Sequence, residues 1–120
     1  MLLVDDDELV REALHDYFLE CGAAVVAADS ARAGLAAFTA EPPDVLVSDL
    51  RMPPGEDGFW LIAAVRALAP RSGGEVPAVA VTGDVMAASQ ALAAGFHAVH
   101  GKPPRLPDLA ALVGRLAGVP

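Results

Sequence analysis

The feature that most constrains this chain is a set of short apolar runs, each followed by a stretch with helical spacing. The runs are LLV at 2–4, AAVVAA at 23–28, DVLVSDL at 44–50, VPAVAVTG at 76–83 and HAVHG at 97–101. They are nearly continuous in apolar residues rather than alternating, which marks strands covered on both faces. Between the first two, Leu9/Val10, Ala13/Leu14 and Tyr17/Phe18 recur at i, i+3, i+4 intervals, and Gly22 is suited to end that helix. Asp29 or Ser30 can cap the next helix, which turns Ala33, Leu35, Ala36 and Phe38 inward and stops before Pro42-Pro43. Further helices are expected from about Phe59 to Leu68, over VMAASQALAAG, and over LPDLAALVGRLAG. RMPPGEDG and RSGG read as turns. Five βα units with right-handed crossovers predict one α/β domain over residues 1–120, a doubly wound five-stranded parallel sheet with five helices.

Composition narrows the function. The 120 residues are 54% hydrophobic with formal net charge -8, the pI is about 4.6 and the mean hydropathy is +0.44. That is enough apolar matter for a real core. An acidic surface speaks against direct nucleic-acid binding, which needs Lys and Arg to neutralise phosphates, and against adhesion to anionic membranes. The most apolar segment, WLIAAVRALA, is broken by Arg66 and too short to span a bilayer. With one cysteine, Cys21, and no signal-peptide pattern, the expected location is cytoplasmic.

In a doubly wound sheet, ligands bind outside the carboxyl ends of the strands. Four of the five strands bring a polar group with chemical potential there: Asp5 and Asp6, Asp49, Thr82-Gly83, and Lys102-Pro103. Three carboxylates from two neighbouring strands form a hard oxygen site suited to Mg²⁺. Lys102 and Thr82 add a cation and a hydroxyl donor, which together stabilise charge on a transferring phosphoryl group. Asp49 is then the natural nucleophile, because carboxylates form acyl phosphates.

Singly, each residue has an ordinary explanation. Asp7 and Glu8 favour a helix N-terminus. An Asp before a Pro/Gly turn is common, and a lone lysine is usually a solvated charge. Their joint placement at one sheet edge carries the functional reading. The histidines do not assemble a zinc site: His97 and His100 are on different strand faces without a cysteine partner, and His15 belongs on a helix surface. Cys21 reads as structural.

VDDDELVREAL, VLVSDLRMPPGEDG, AVAVTG and HGKP, in this order, resemble the receiver domain of two-component response regulators. The resemblance covers essentially the whole chain. It implies a flavodoxin-like sheet of order 2-1-3-4-5. It implies phosphoryl transfer to Asp49 from a histidine kinase or a histidine phosphotransfer protein. It also implies Mg²⁺ held by Asp5, Asp6, Asp49 and the backbone carbonyl of Arg51. Thr82, Gly83 and Lys102 would form the phosphoryl-binding and switch positions, and Lys102-Pro103 a cis peptide. A receiver catalyses only its own phosphorylation and dephosphorylation. GEDGFWLIAAVRALAPRSGGEVPAVAVTG and AAGFHAVHGKP resemble receivers attached to hybrid histidine kinases, so a linked kinase or output domain is an expected partner. VMAASQALAAG lies in the region the family uses for output, which makes a partner or homodimer contact there an expectation.

The chain also departs from the family. Three residues before the lysine, where receivers carry an aromatic, stands Val99. Thr82 is followed by Gly83 rather than Ala. The loop after Asp49 has one extra residue, and Arg51 with Asp84 could form a lid ion pair that slows water attack. Two rivals remain at this level: a phosphate-independent receiver-like scaffold, and a haloacid-dehalogenase-type phosphatase using Asp5-Asp6-Asp7 as a D-x-D motif.

Overall fold

The computed structural model describes residues 1–53 and 55–118; Pro54 of the expected turn lies outside them. Five strands, β1 (Leu2–Val4), β2 (Val26–Ala28), β3 (Leu46–Asp49), β4 (Ala78–Thr82) and β5 (Ala98–Gly101), alternate with five helices. The helices are α1 (Glu8–Glu20), α2 (Ala31–Ala40), α3 (Gly58–Arg66), α4 (Ala88–Ala94) and α5 (Leu106–Leu116). All strand pairs are parallel, and the order is β2-β1-β3-β4-β5. The expected fold is the observed one.

Alternation along the strands divides the core into two layers. Leu2, Val4, Leu46, Ala78 and Ala80 face Phe38, Leu61, Ile62, Val65 and Ala91 of α2, α3 and α4. Leu3, Val47, Val79 and Val81 face Leu14, Phe18, Leu109 and Val113 of α1 and α5. β1, β3 and β4 feed both layers, so their residues are apolar until the carboxyl ends, and this is why those runs are continuous.

Several local expectations are corrected. β2 covers only the last half of AAVVAA, and Val26 is 51% exposed. Its one partner, β1, pairs with it over three residues only, and ahead of them the chain is tied to Met1 by a single bond from the terminal amino group to the Ala24 carbonyl at 2.8 Å. On α2 the buried stripe is Ala31, Gly34 and Phe38, with Leu35 half-buried; Ala33 and Ala36 face solvent. Gly34 lies against Val4, where a Cβ would stand only 2.8 Å from a Val4 methyl. Ser30 rather than Asp29 caps α2, accepting from the Ala33 N–H. α3 ends at Arg66, not Leu68. The first residues of VMAASQALAAG form a 3-10 turn over Val85–Ala87 before α4 begins. Ala87 and Ala91 turn into the core while Met86 and Leu92 are exposed, so that segment is only half used by packing. Cys21 is exposed and supports no structural role.

Candidate functional site

The parallel register ends β1, β3, β4 and β5 at one level. Val4 pairs with Ser48, Asp49 with Val81, and Thr82 with Gly101. Asp5, Asp49, Thr82 and Lys102 therefore meet at the carboxyl edge of the sheet. Asp5, Asp49 and Thr82 are buried, and no buried side-chain polar atom among the described residues is left without a partner.

Lys102 organises the pocket. Its Nζ stands 2.9 Å from Asp5 Oδ2 and 2.9 Å from Asp49 Oδ2. Burial alone would lower the lysine, but the bonds to Asp49 and Asp5 outweigh it and hold its pKa above the usual value. For Asp5 the balance goes the other way. Burial raises its carboxyl above the usual range despite the Lys102 bond and the Asp7 N–H that donates to Oδ1 at 2.9 Å. Asp6, exposed, completes a group of three carboxylates whose oxygens lie within 4.8 Å of one another. One lysine against three acids leaves an excess of negative charge in a small volume. The donor set is all oxygen, and two of its three acids are buried. Such a site fits a hard divalent cation.

The surrounding loops aim these groups. Asp7 is spent as the N-cap of α1, accepting from the N–H groups of Leu9 and Val10. It is therefore not free to complete a D-x-D motif. The Arg51 N–H donates to Asp49 Oδ1 at 3.3 Å, so the loop after β3 folds back over the carboxylate. Thr82 Oγ1 accepts from the Asp84 N–H at 3.0 Å, leaving its own proton for an incoming oxygen. The Lys102 N–H donates to the Thr82 carbonyl, and Lys102-Pro103 is cis, as the resemblance implies. Gly83 is exposed, and a Cβ there would meet only Lys102 Cβ at 4.0 Å, so the pocket is open on this side. Val99 is half-buried and packs on the core, opposite Ala80. The expected lid pair exists at long range: Arg51 Nη2 to Asp84 Oδ2 is 3.5 Å between two exposed side chains. Geometry of that kind contributes little.

Sequence reading missed three supporting residues. The Arg11 guanidinium donates to the Asp5 backbone carbonyl at 2.9 Å, fixing the acidic turn from α1. Gly58 starts α3 against β3, where any Cβ would collide with the Asp49 carbonyl oxygen. Arg32 reaches from α2 to Glu56 in the loop after Asp49. Gly58, the last residue of the expected turn RMPPGEDG, was the one available signal. The two arginines look like any surface charge until the fold brings their partners near. His97 and His100 take structural roles, accepting the backbone N–H groups of Ala78 and Arg105.

The family model of the response regulator receiver domain matches residues 1–114. The chain belongs to this receiver family. It is thereby a receiver domain of two-component signalling. It is 33% identical over 115 residues to the DNA-binding transcriptional regulator NtrC of Klebsiella pneumoniae, covering 94% of this chain and 24% of that protein. Its structure is similar to that of a Chloroflexus aurantiacus J-10-fl protein assigned as a response regulator. The TM-score is 0.90 at 29% identity, over 98% of the receiver and 95% of that chain. A CheY-like receiver domain protein from Methanospirillum hungatei JF-1 gives a TM-score of 0.87 at 25% identity, over 98% and 91%. The receiver spans 15%, 60% and 22% of the length of three curated relatives it matches. No helix among the described residues is long and apolar enough to cross a membrane.

Proposed function

We propose that Asp49 accepts a phosphoryl group from the phosphohistidine of a histidine kinase or a histidine phosphotransfer protein. The observation that carries this reading is Lys102 Nζ held 2.9 Å from both Asp5 and Asp49 beside a third carboxylate. Asp5, Asp6, Asp49 and the Arg51 carbonyl would hold Mg²⁺, which when bound supplies positive charge to the phosphoryl oxygens. An Asp49 carboxylate oxygen attacks phosphorus with a remaining lone pair, the P–N bond to the donor imidazole breaks, and the imidazole leaves with its electron pair. The product on Asp49 is an acyl phosphate. Lys102 exchanges one carboxylate for a phosphoryl oxygen, and the Thr82 hydroxyl donates to another. Domain activity is confined to this self-phosphorylation and to hydrolysis of the acyl phosphate, in which water takes the phosphoryl group and Asp49 is restored as a carboxylate.

Phosphorylation then acts by population shift: the modified carboxylate must favour one arrangement of the loops after β3 and β4. Because Val99 is not aromatic, the signal would run through Thr82, Asp84 and the turn into α4. Exposed Met86 and Leu92 offer that segment to a partner, a linked domain or a second copy. The domain would work in the cytoplasm, where kinase and phosphotransfer histidines are found. The convergence of every site residue argues against a phosphate-independent scaffold, and Asp7's capping role argues against the phosphatase.

The test is incubation with acetyl phosphate, with and without Mg²⁺, read by intact mass. The expected result is a Mg²⁺-dependent, base-labile adduct of one phosphoryl group, absent in Asp49→Asn. A folded, metal-binding protein that forms no adduct would overturn the reading in favour of the scaffold. Multiple turnover of phosphate esters would favour a phosphatase.

A further inference from the structure

Arg32 and Glu56 join α2 to the loop that follows Asp49. The guanidinium gives Nε–H to Glu56 Oε2 at 2.8 Å and Nη2–H to Oε1 at 2.9 Å, a two-pronged pair. The same guanidinium lies over the Trp60 ring, 5.3 Å from its centroid. On the preceding residue, the Arg51 guanidinium lies 5.8 Å from the Phe59 centroid. Two neighbouring aromatics in the first turn of α3 thus each carry an arginine, one from the start of the loop and one from another helix. The loop base is closed by the Gly58 N–H on the Leu50 carbonyl at 3.0 Å and by Asp57, which caps α3 through the Trp60 N–H at 3.0 Å. Its outer strut is Glu56, and Arg32 holds that strut.

An isolated surface ion pair does little, because two long side chains lose freedom for a screened attraction. This pair is different in geometry. The fork is bidentate, which fixes orientation as well as distance. The stack on Trp60 holds the guanidinium in place before it meets the carboxylate. The pair also holds each partner in its charged form: the bond to Arg32 lowers the Glu56 carboxyl, and the bond to Glu56 raises Arg32. What it secures is the loop between Leu50 and Gly58. Among the described residues, the loop's one hydrogen bond to the acceptor carboxylate is the long 3.3 Å bond from the Arg51 N–H. A contact that long is weak, so looseness in the loop passes directly to Asp49.

We propose that Arg32 and Glu56 are positioning residues that hold the 50–58 loop, and with it the Arg51 backbone, ready at the acidic pocket. The inference rests on the metal and phosphoryl reading of that pocket. Partners that orient a metal ligand are typically worth an order of magnitude in metal affinity.

The test uses the 120-residue chain with Arg32→Gln, Glu56→Gln, the double variant and Arg32→Lys. Mg²⁺ affinity is measured by calorimetry, and amide exchange at Gly58 is measured in metal-free protein. Each glutamine variant is expected to raise the Mg²⁺ Kd about tenfold and to speed exchange at Gly58. The double variant should be no worse than either single one, Arg32→Lys should fall between, and the urea midpoint should stay at the wild-type value. Unchanged Kd and unchanged exchange in the glutamine variants would overturn the proposal. So would additive losses that follow a falling urea midpoint, since those mark general stability. If wild-type protein binds no Mg²⁺, the metal reading of the pocket fails, and Gly58 exchange alone decides whether the bracket holds the loop.

Discussion

The two ends of the β4–β5 half of the sheet each hold a half-buried cation, and they use it in opposite ways. At the carboxyl end Lys102 sits between the carboxylates of Asp5 and Asp49, with Asp6 close by. At the amino end Arg66, from the last turn of α3, meets neutral dipoles. It donates from Nε and Nη2 to the Gly95 carbonyl at 3.1 and 2.8 Å, and from Nη1 to the Gly74 carbonyl at 3.0 Å. Beside it His97 Nδ1 accepts the Ala78 N–H at 3.1 Å, while the His97 N–H donates to the Ala78 carbonyl at 2.8 Å. Gly95 is glycine by necessity: its φ is +124°, and a Cβ would stand 3.1 Å from Arg66 Cγ. The amino end is a clasp in which each group satisfies its neighbour. The carboxyl end holds an excess of like charge that a second cation or a phosphoryl group can rearrange. Stability is concentrated at one end and chemistry at the other.

The largest effect should come from breaking the clasp. Arg66→Met keeps much of the aliphatic stem and removes every bond to the Gly74 and Gly95 carbonyls. Both carbonyls can partly rehydrate, so the cost is about 2 kcal/mol. Urea denaturation should show that loss, while Mg²⁺ affinity and acyl-phosphate formation stay at wild-type levels. If metal affinity fell in step with stability, the two ends would be one cooperative unit and the contrast would not hold.

The pocket should answer with the opposite sign. Burial raises the Asp5 carboxyl, so its charged form is held at a cost. Asp5→Asn keeps an acceptor for the Asp7 N–H and leaves Asp49 as the partner of Lys102. The variant should gain up to about 1 kcal/mol in urea denaturation, because removing a strained buried charge is often stabilising. It should also lose Mg²⁺ binding. A clear loss of stability would mean that the Lys102–Asp5 bond outweighs burial, making the pocket a second clasp.

The sequence made the carboxyl end legible and left the amino end hidden, for a physical reason. Asp5, Asp6, Asp49, Thr82 and Lys102 stand at strand ends, and strand ends are visible as the points where apolar runs stop. A parallel sheet brings such points together whatever the loops do, so the site followed from the alternation alone. Arg66, Gly74 and the Gly95–His97 turn belong to three separate segments, and their bonds go to backbone carbonyls and an N–H. Backbone groups carry no residue-specific signal, so nothing marked these residues as partners; His97 could be judged only as a missing zinc ligand. Arg32 and Glu56 were hidden differently: two ordinary surface charges in separate segments pair only once the fold brings α2 beside the loop after β3. Alanine caused two of the remaining differences. On α2 and in AAVVAA it is small enough for either face or for a loop, so Ala33 and Ala36 were expected inside and the second strand too long. Gly34 is what lets α2 approach Val4.

Acid should separate the two ends most finely. Burial first, and then the Arg66 charge, holds the His97 imidazole below its usual 6.5. A histidine whose folded pKa is depressed favours the neutral ring in the fold. Its contribution is complete above the unfolded value and is lost as pH falls through the folded one. Protonation would place a hydrogen on Nδ1, where the Ala78 N–H now points, and a positive ring beside Arg66, 3.4 Å away. Asp5 behaves in reverse: its raised carboxyl costs most above its folded pKa, and that cost disappears as pH falls toward 3.8. Acidification should therefore weaken the clasp and relieve the pocket. Urea midpoints taken from about pH 7 to about pH 5 should fall in wild type. They should fall less in His97→Asn, whose side-chain oxygen can still accept the Ala78 N–H without titrating. The Ala78 amide resonance should shift with pH in wild type and stay fixed in the variant. Equal losses in both proteins would show that His97 does not carry the acid sensitivity, and the amino end would then be a clasp indifferent to protons.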